Sequence, residues 1–520
     1  MSRCFNITGS CFPELHYMVD ITDRLAEIKE MIRKGDYFII NRGRQYGKTT
    51  TLRALEGYLS DEFYVVGMDF QRQMSAAKFK DEYTFSSAFA KAFITSFKRN
   101  KCSDQSLEAV ENLKRSINSE YDLVELFNNI SEFCGAVDKP VVLLIDEVDQ
   151  PSANQVFLDF LAQLRGYYLD RLYSDTFKSV ILAGVYDIRN LKLKIRDESE
   201  HKHNSPWNIA VEFNVNMSLT VDGIAGMLDD YKKDHDIEMN SELIAKLIYD
   251  YTSGYPVLVS GICKLIDEEI HEWNEQGIIK AVGKILSTNT PLFDSLINKL
   301  EDYPALKSDI TRILTNGDKI PYIAEDETLR MLILFGFVRI ENSSVVIANR
   351  IFETKLYNWI LTSSEMKDTS IFKASLFDKP EFVKNGILDV EFILSRFTEH
   401  FHEIYGDNTE HFIEDDARKC FLVYLRPIIN GVGNYFIEAQ TRDGRRMDVV
   451  IDYLGKRYII ELKIWRGSKY NEDGEKQLSE YLDSYNLKKG YMLTFCFNKS
   501  KESGIKTVQY EDKVLVEAVV

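Results

Sequence analysis

The chain has 520 residues, too many for one hydrophobic core, and its 45% hydrophobic and 28% charged content is that of a globular protein with about two to four domains. A net charge of −17 argues against a general nucleic-acid coat protein, although a local basic cleft is compatible with it. Seven scattered cysteines without a C-x-x-C pair exclude a disulfide framework and a cysteine zinc site, and no apolar run approaches the roughly 20 residues that span a bilayer. No long apolar segment follows Arg3, so no signal peptide is expected, and the expectation is a soluble cytoplasmic protein without a membrane partner.

Residues 20–35 carry Ile21, Leu25, Ile28, Met31 and Ile32 at helical spacing among charges and predict an amphipathic helix. Tyr37 to Ile40 is a strand-forming run. It leads through a polar turn into Gly47, Lys48 and Thr49, which open a helix to Ser60. That order suits an anion: loop and helix N–H groups point at phosphate, a lysine adds charge and a hydroxyl holds magnesium. The motif G-x-x-x-x-G-K-[ST] is incomplete, because Arg42 stands at its first place and Gly43 comes one residue late. An ordinary strand-to-helix turn would read the same. Phe63 to Met68 predicts a second strand, ending at Asp69.

Residues 84–98 and 105–133 predict helices that lead to Val141–Ile145, an unbroken apolar run that ends in Asp146, Glu147, Val148 and Asp149. Such a run suits a parallel strand buried on both faces, with acids at the end where open α/β sheets bind ligands. There Asp146 would hold magnesium and Glu147 would polarise the attacking water. A core strand ending in a solvated acidic turn is the plainer alternative.

Tyr17 to Asp20, Arg42 to Thr49 and Ile145 to Pro151 together resemble the bacterial AAA-ATPase-like proteins that carry a C-terminal PD-(D/E)XK nuclease domain. In that family the loop reads R-P-R-R-F-G-K-[ST], so the missing first glycine is a family habit. Gly43 stands here in the proline place, and Gln45 replaces an arginine. The resemblance implies that Gly43, Arg44, Gln45, Tyr46, Gly47, Lys48, Thr49, Thr50 and Asp146 bind ATP, with Thr49 and Asp146 on Mg2+.

Residues 152–170 predict a helix and Ser179–Gly184 a fourth strand, after which the resemblance places a γ-phosphate sensor near Tyr186 and Asp187, with Arg189 as a candidate cation. Strands alternating with helices imply a parallel sheet. Helices follow from Met217, with Ser241 as a cap. Gly254-Tyr-Pro256 is similar to the lid turn of STAND-type ATPases and reads equally as a helix junction. A helix 305–314, a strand 319–323, a helix 327–335 and two strands around Asn342 resemble a winged helix, with only Arg339 as a basic residue near its wing. Packing within the chain is favoured over DNA reading for that module.

The polar stretch 363–380 predicts a boundary. Beyond it, strands at 435–439, 444–451 and 457–464 bear Asp448, Glu461 and Lys463. Glu461 and Lys463 are two apart and share a sheet face. An aspartate followed by E-x-K suits metal-assisted phosphodiester hydrolysis, with Asp448 and Glu461 on magnesium and Lys463 orienting or activating water. A surface ion pair on an edge strand is the plain reading. Gln477 and Tyr481, one helical turn apart, are similar to the Q-x-x-x-Y of RecB-type members of that superfamily, with Glu414 and Glu438 as further candidates and Met447 in the usual proline place. Between Ala417 and Tyr470 eleven bases stand against five acids, a local charge suited to a phosphate backbone.

The expected fold is α/β. It comprises a P-loop ATPase core (1–216), a helical lid (217–302), a winged-helix-like module (303–362), a linker (363–380) and a restriction-endonuclease-like PD-(D/E)XK domain (381–520). The expected function is an ATPase that uses ATP and Mg2+ and gates cutting of DNA, compatible with a homo-oligomer. Its rivals are a non-cleaving ATP-dependent switch or DNA-binding protein and a scaffold that binds nucleotide structurally.

Overall fold

The computed structural model describes residues 3–118, 120–149, 154–185, 207–316, 320–361, 369–378, 381–384, 387–405, 420–425, 433–437, 448–453, 456–465, 468–496 and 502–520. Tyr186, Asp187, Arg189, Glu414, Glu438, Met447 and the end of the acidic motif at Gln150–Pro151 lie outside the described residues. Two compact units divide the chain. The first holds Met1–Ile237 with Tyr255–Ser260 and Leu334–Gly336; the second holds the rest.

In the first unit, helix α1 (Thr22–Lys34) precedes strand β1 (Phe38–Asn41), the loop 42–47 and helix α2 (Lys48–Tyr58). Strands β2 (Tyr64–Asp69), β3 (Val141–Asp146) and β4 (Ser179–Gly184) complete a parallel sheet of order β1-β4-β3-β2, so β4 lies between the strand of the loop and the strand of the acids. Both faces are covered, as the alternation of side chains requires. Ile39, Val66, Leu143, Ile145 and Leu182 join one core, whereas Phe38, Ile40, Val65, Val142, Leu144 and Ile181 join the other.

The predicted strands and the helix from Thr49 are present. The helix expected over 105–133 is instead two, Asp104–Ser116 and Leu123–Ala136. Between them Asn118 Oδ1 accepts from the Glu120 N–H at 2.7 Å and Asp122 Oδ1 caps the second helix through Glu125 N–H at 2.8 Å. Side chains that bond their own backbone compete with a continuing helix. The cap at 240–241 also differs. Asn240, not Ser241, accepts from the Leu243 N–H, and Ser241 is the first helical residue.

The second unit begins with helices and a small antiparallel sheet of order β5-β7-β6, with β5 at Ile320–Pro321, β6 at Val338–Glu341 and β7 at Ser344–Ile347. Asn342 and Ser343, both at positive φ (48° and 62°), make the two-residue hairpin turn. Arg339 is spent within the unit. Its guanidinium donates to the carbonyls of Ile347 and Ala348 at 3.1 and 2.9 Å and to Glu341 at 2.6 Å.

A two-stranded ribbon, β8 (Val383–Lys384) and β9 (Ile387–Leu388), precedes a six-stranded mixed sheet. Its strands are β10 (Gly433–Ile437), β11 (Asp448–Tyr453), β12 (Lys456–Ile464), β13 (Lys489–Phe495), β14 (Gly504–Tyr510) and β15 (Lys513–Val519), in the order β10-β11-β12-β13-β15-β14. The first three were expected; the last three, which carry the sheet past Glu461, were not. The helix bearing Gln477 and Tyr481 spans Ser468–Ser484.

Candidate functional site

The loop between β1 and α2 turns at two residues in the left-handed region, Gln45 (φ 57°) and Gly47 (φ 81°), which brings the N-terminus of α2 round to the end of β1. Lys48, 8% exposed, donates from Nζ to the carbonyls of Arg42 at 2.8 Å and Gly43 at 3.0 Å. Thr49 Oγ1 donates to Asp146 Oδ2 at 2.6 Å. Parallel pairing sets Asp69 beside Asp146 at the ends of β2 and β3, where the Asp69 carboxylate accepts from the Arg72 N–H at 3.0 Å and caps the helix that follows.

Burial governs the electrostatics. It pushes the Lys48 ammonium below its ordinary value, against the pull of Asp149, Glu147 and Asp146. It raises Asp146, opposed chiefly by the bond from Thr49, and raises Glu147, helped by the charge of Asp146. Glu147 stands at φ 56°, a conformation unusual for a side chain of its kind. A hydroxyl and carboxylates beside a phosphate loop are hard oxygen donors, the set that magnesium takes.

The remaining loop residues divide. Arg44 and Gln45 are exposed. Tyr46 hydrogen-bonds Ser218 at 2.7 Å and packs edge-on to Tyr255 at 4.6 Å. Thr50 Oγ1 accepts from the Cys11 N–H at 3.2 Å, so its hydroxyl holds the N-terminal segment. Tyr255, in the expected lid turn, donates to the Arg44 carbonyl at 2.6 Å, and a Cβ on Gly43 would meet the Phe335 carbonyl at 2.9 Å. Periodicity carries no signal for these contacts, since 211 residues separate Tyr255 from Arg44; the likeness of Gly254-Tyr-Pro256 to a lid turn was the one hint.

In the C-terminal sheet the register sets Asp448 directly opposite Glu461 on antiparallel β11 and β12. Glu461 is 2% exposed, and Lys463 Nζ lies 3.7 Å from its Oε1. The helix Ser468–Ser484 lies over this face, and a Cβ on Gly474 would overlap the Lys463 ammonium. Gln477, three residues on, shares the helix face of Gly474 and is half-buried. Of the expected basic residues, Arg457 is already engaged by Glu275 at 3.0 Å. One feature was missed altogether: fully buried Glu517 accepts from Thr494 at 2.8 Å and pairs with Lys506 at 2.9 Å, and Thr494 is the register neighbour of Lys463.

Among the described residues no helix is long and apolar enough to cross a membrane. Comparison with curated proteins returned no match. Among solved structures, the Walker-type ATPase of Pyrococcus abyssi is similar at 14% identity and a TM-score of 0.47, over 68% of this chain and 99% of that one. A RuvB variant of Thermotoga maritima is similar at 10% identity and a TM-score of 0.31, over 63% and 92%. The ORC1 protein of Aeropyrum pernix in complex with DNA is similar at 14% identity and a TM-score of 0.29, over 66% and 93%. A family model described as an AAA-like domain matches residues 17–358, and with its phosphate loop, parallel sheet and paired acids in that span the chain belongs to the AAA-like domain family.

Proposed function

We propose that the chain hydrolyses ATP and that its nucleotide state governs a magnesium-dependent nuclease in the C-terminal domain, with DNA as substrate. The observation that carries the ATPase half is the bond from Thr49 to Asp146 beside the buried Lys48. Lys48 would meet the outer phosphates, the loop from Gly43 to Thr50 would line them, and Thr49 and Asp146 would hold Mg2+. Glu147 would orient the attacking water and take its proton as the bond to the γ-phosphate breaks and ADP leaves.

The nuclease half draws on the Asp448–Glu461 register and on Lys463 beside Glu461. Asp448 and Glu461 would hold a divalent ion, Lys463 would orient the water, and Gln477 would contact the substrate. At each place the ion supplies positive charge against phosphate oxygens. The matching domain limits are 1–216, 217–302, 303–362 and 381–520, with 363–380 as linker, and a homo-oligomer fits the ATPase reading.

A second reading, a nuclease-like domain that holds DNA without cutting it, draws on the place of Lys463, which lies under the helix at Gly474 and 3.7 Å from Glu461 Oε1. The deciding experiment offers single- and double-stranded DNA, linear and circular, to the wild type, Lys48→Ala and Lys463→Ala, with magnesium or manganese and with or without ATP. Cutting that vanishes in Lys463→Ala supports the nuclease, and its change with ATP gives the direction of control. Intact ATP turnover with no cutting on any substrate replaces the nuclease with the non-cleaving switch.

A further inference from the structure

The acids of the ATPase site sit on a sharp turn after β3, and something must hold that turn. Two bonds do so, both to the end of β4. The Val148 N–H donates to the Ala183 carbonyl at 3.2 Å, and Asp149 Oδ2 accepts from the Val185 N–H at 2.6 Å. Between β3 and these bonds stands Glu147 at φ 56°. Without an external hold this residue would relax toward the ordinary region, because a side chain at positive φ is strained.

The carboxylate of Asp149 occupies space that only a glycine leaves. A Cβ on Gly184 would come within 2.6 Å of Asp149 Oδ1 and 3.0 Å of Val148. The same glycine serves the phosphate loop, for its carbonyl accepts from the N–H of Arg42, the first residue of that loop, at 3.3 Å. The end of β4 is therefore a joint: loop on one side, acid turn on the other. Lys48 and Thr49 hang from the first, and Asp146 and Glu147 from the second.

We propose that Asp149 is a positioning residue for ATP hydrolysis. Its hydrogen bond to Val185 locks the acid turn to β4, so that Glu147 is set against the phosphate loop and not merely near it. This rests on the ATPase reading above. The role proposed is geometric, carried by the oxygen that accepts from Val185; the charge of Asp149, which also pulls on Lys48, is separated from it by Asp149→Asn. Displacement of a catalytic group by about 1 Å costs on the order of 100-fold in rate, whereas ground-state binding by the loop does not depend on the turn.

The test measures steady-state ATP turnover and, separately, binding of a fluorescent non-hydrolysable ATP analogue by the full chain. Asp149→Ala is expected to lower kcat about 10- to 100-fold and to leave analogue affinity within about twofold. Asp149→Asn, whose amide oxygen can accept from Val185, is expected to recover most of kcat. Gly184→Ala, which keeps the carboxylate but pushes it out of place, is expected to resemble Asp149→Ala, and it carries the test if that variant does not fold. A kcat unchanged in both Asp149→Ala and Gly184→Ala overturns the proposal. So does an Asn variant as slow as the Ala variant, or a loss confined to affinity. A wild type that binds the analogue without turning over ATP overturns the ATPase reading itself, and the proposal with it.

Discussion

Thr49 and Asp146 lie 97 residues apart, yet the hydroxyl of one donates to the carboxylate of the other at 2.6 Å, at the start of α2 and the end of β3. One threonine and one aspartate thus join the two halves of the candidate ATPase site. Removing the nearby charge should be severe. Lys48→Ala is expected to abolish measurable ATP turnover. Asp146→Asn is expected to lower kcat by about 100-fold or more while nucleotide binding falls far less. Equal losses of binding and turnover in Asp146→Asn would count against magnesium at this carboxylate.

Gly474 tests the C-terminal site without touching a charge. Because a Cβ there overlaps the Lys463 ammonium, Gly474→Ala should displace the lysine and reduce DNA cutting by about 100-fold. Because ATP turnover reports only on the first unit, a thermal melt of the same preparation beside the wild type checks that the second unit is folded. Full cutting activity in this variant would remove Lys463 from the proposed chemistry.

Gly43 in the phosphate loop and Gly57 near the far end of α2 should respond in opposite directions. Gly43→Ala forces a methyl against the Phe335 backbone carbonyl and should weaken ATP binding and lower the melting temperature. Gly57, exposed in α2 with nothing within 4 Å of a would-be Cβ, gains helix propensity, so Gly57→Ala should stabilise by about 0.5–1 kcal/mol. Thermal melts of the two variants beside the wild type decide both.

Phe85, Phe89, Phe93 and Phe97 recur every four residues on the helix Glu82–Phe97, all fully buried. Phe93 meets Phe133 edge-on at 5.3 Å. Phe93→Ala should cost about 3–5 kcal/mol, read as a lower denaturant midpoint for the first unit. A loss below about 1 kcal/mol would show that this core collapses around the void.

The Arg33 guanidinium forks onto both Glu62 oxygens at 3.0 and 2.7 Å, with Lys29 also in contact at 2.5 Å. The bonds from Arg33, and then Lys29, lower the Glu62 carboxyl from 4.5 to about 2. A carboxylate depressed in the folded state stabilises above its unfolded value, and the contribution is lost as pH falls from about 4.5 through about 2. Wild type and Glu62→Gln should therefore differ in melting temperature at pH 7 and converge toward pH 2. A difference that persists undiminished at pH 2 would contradict this assignment.

The sequence by itself determined the local chemistry. The apolar runs at 37–40 and 141–145 marked buried strands, the GKT and the acids marked where those strands end, and period-2 alternation put Glu461 and Lys463 on one face. Those signals are short-range, because strand burial and turn chemistry depend on neighbours a few residues away. What only the tertiary structure decided was which distant pieces meet. The placement of β4 between β1 and β3, the Tyr255 hydroxyl on the Arg44 carbonyl, Asp149 in the space of Gly184 and Gly474 over Lys463 all join residues that no periodicity links. The breaks were hidden for a related reason. Asn118 and Asp122 fit a helical pattern by hydropathy, and only their side-chain bonds to the backbone end one helix and begin the next. Hydropathy reports how much of a face is buried; the partner that buries it is chosen by the packing of the whole unit.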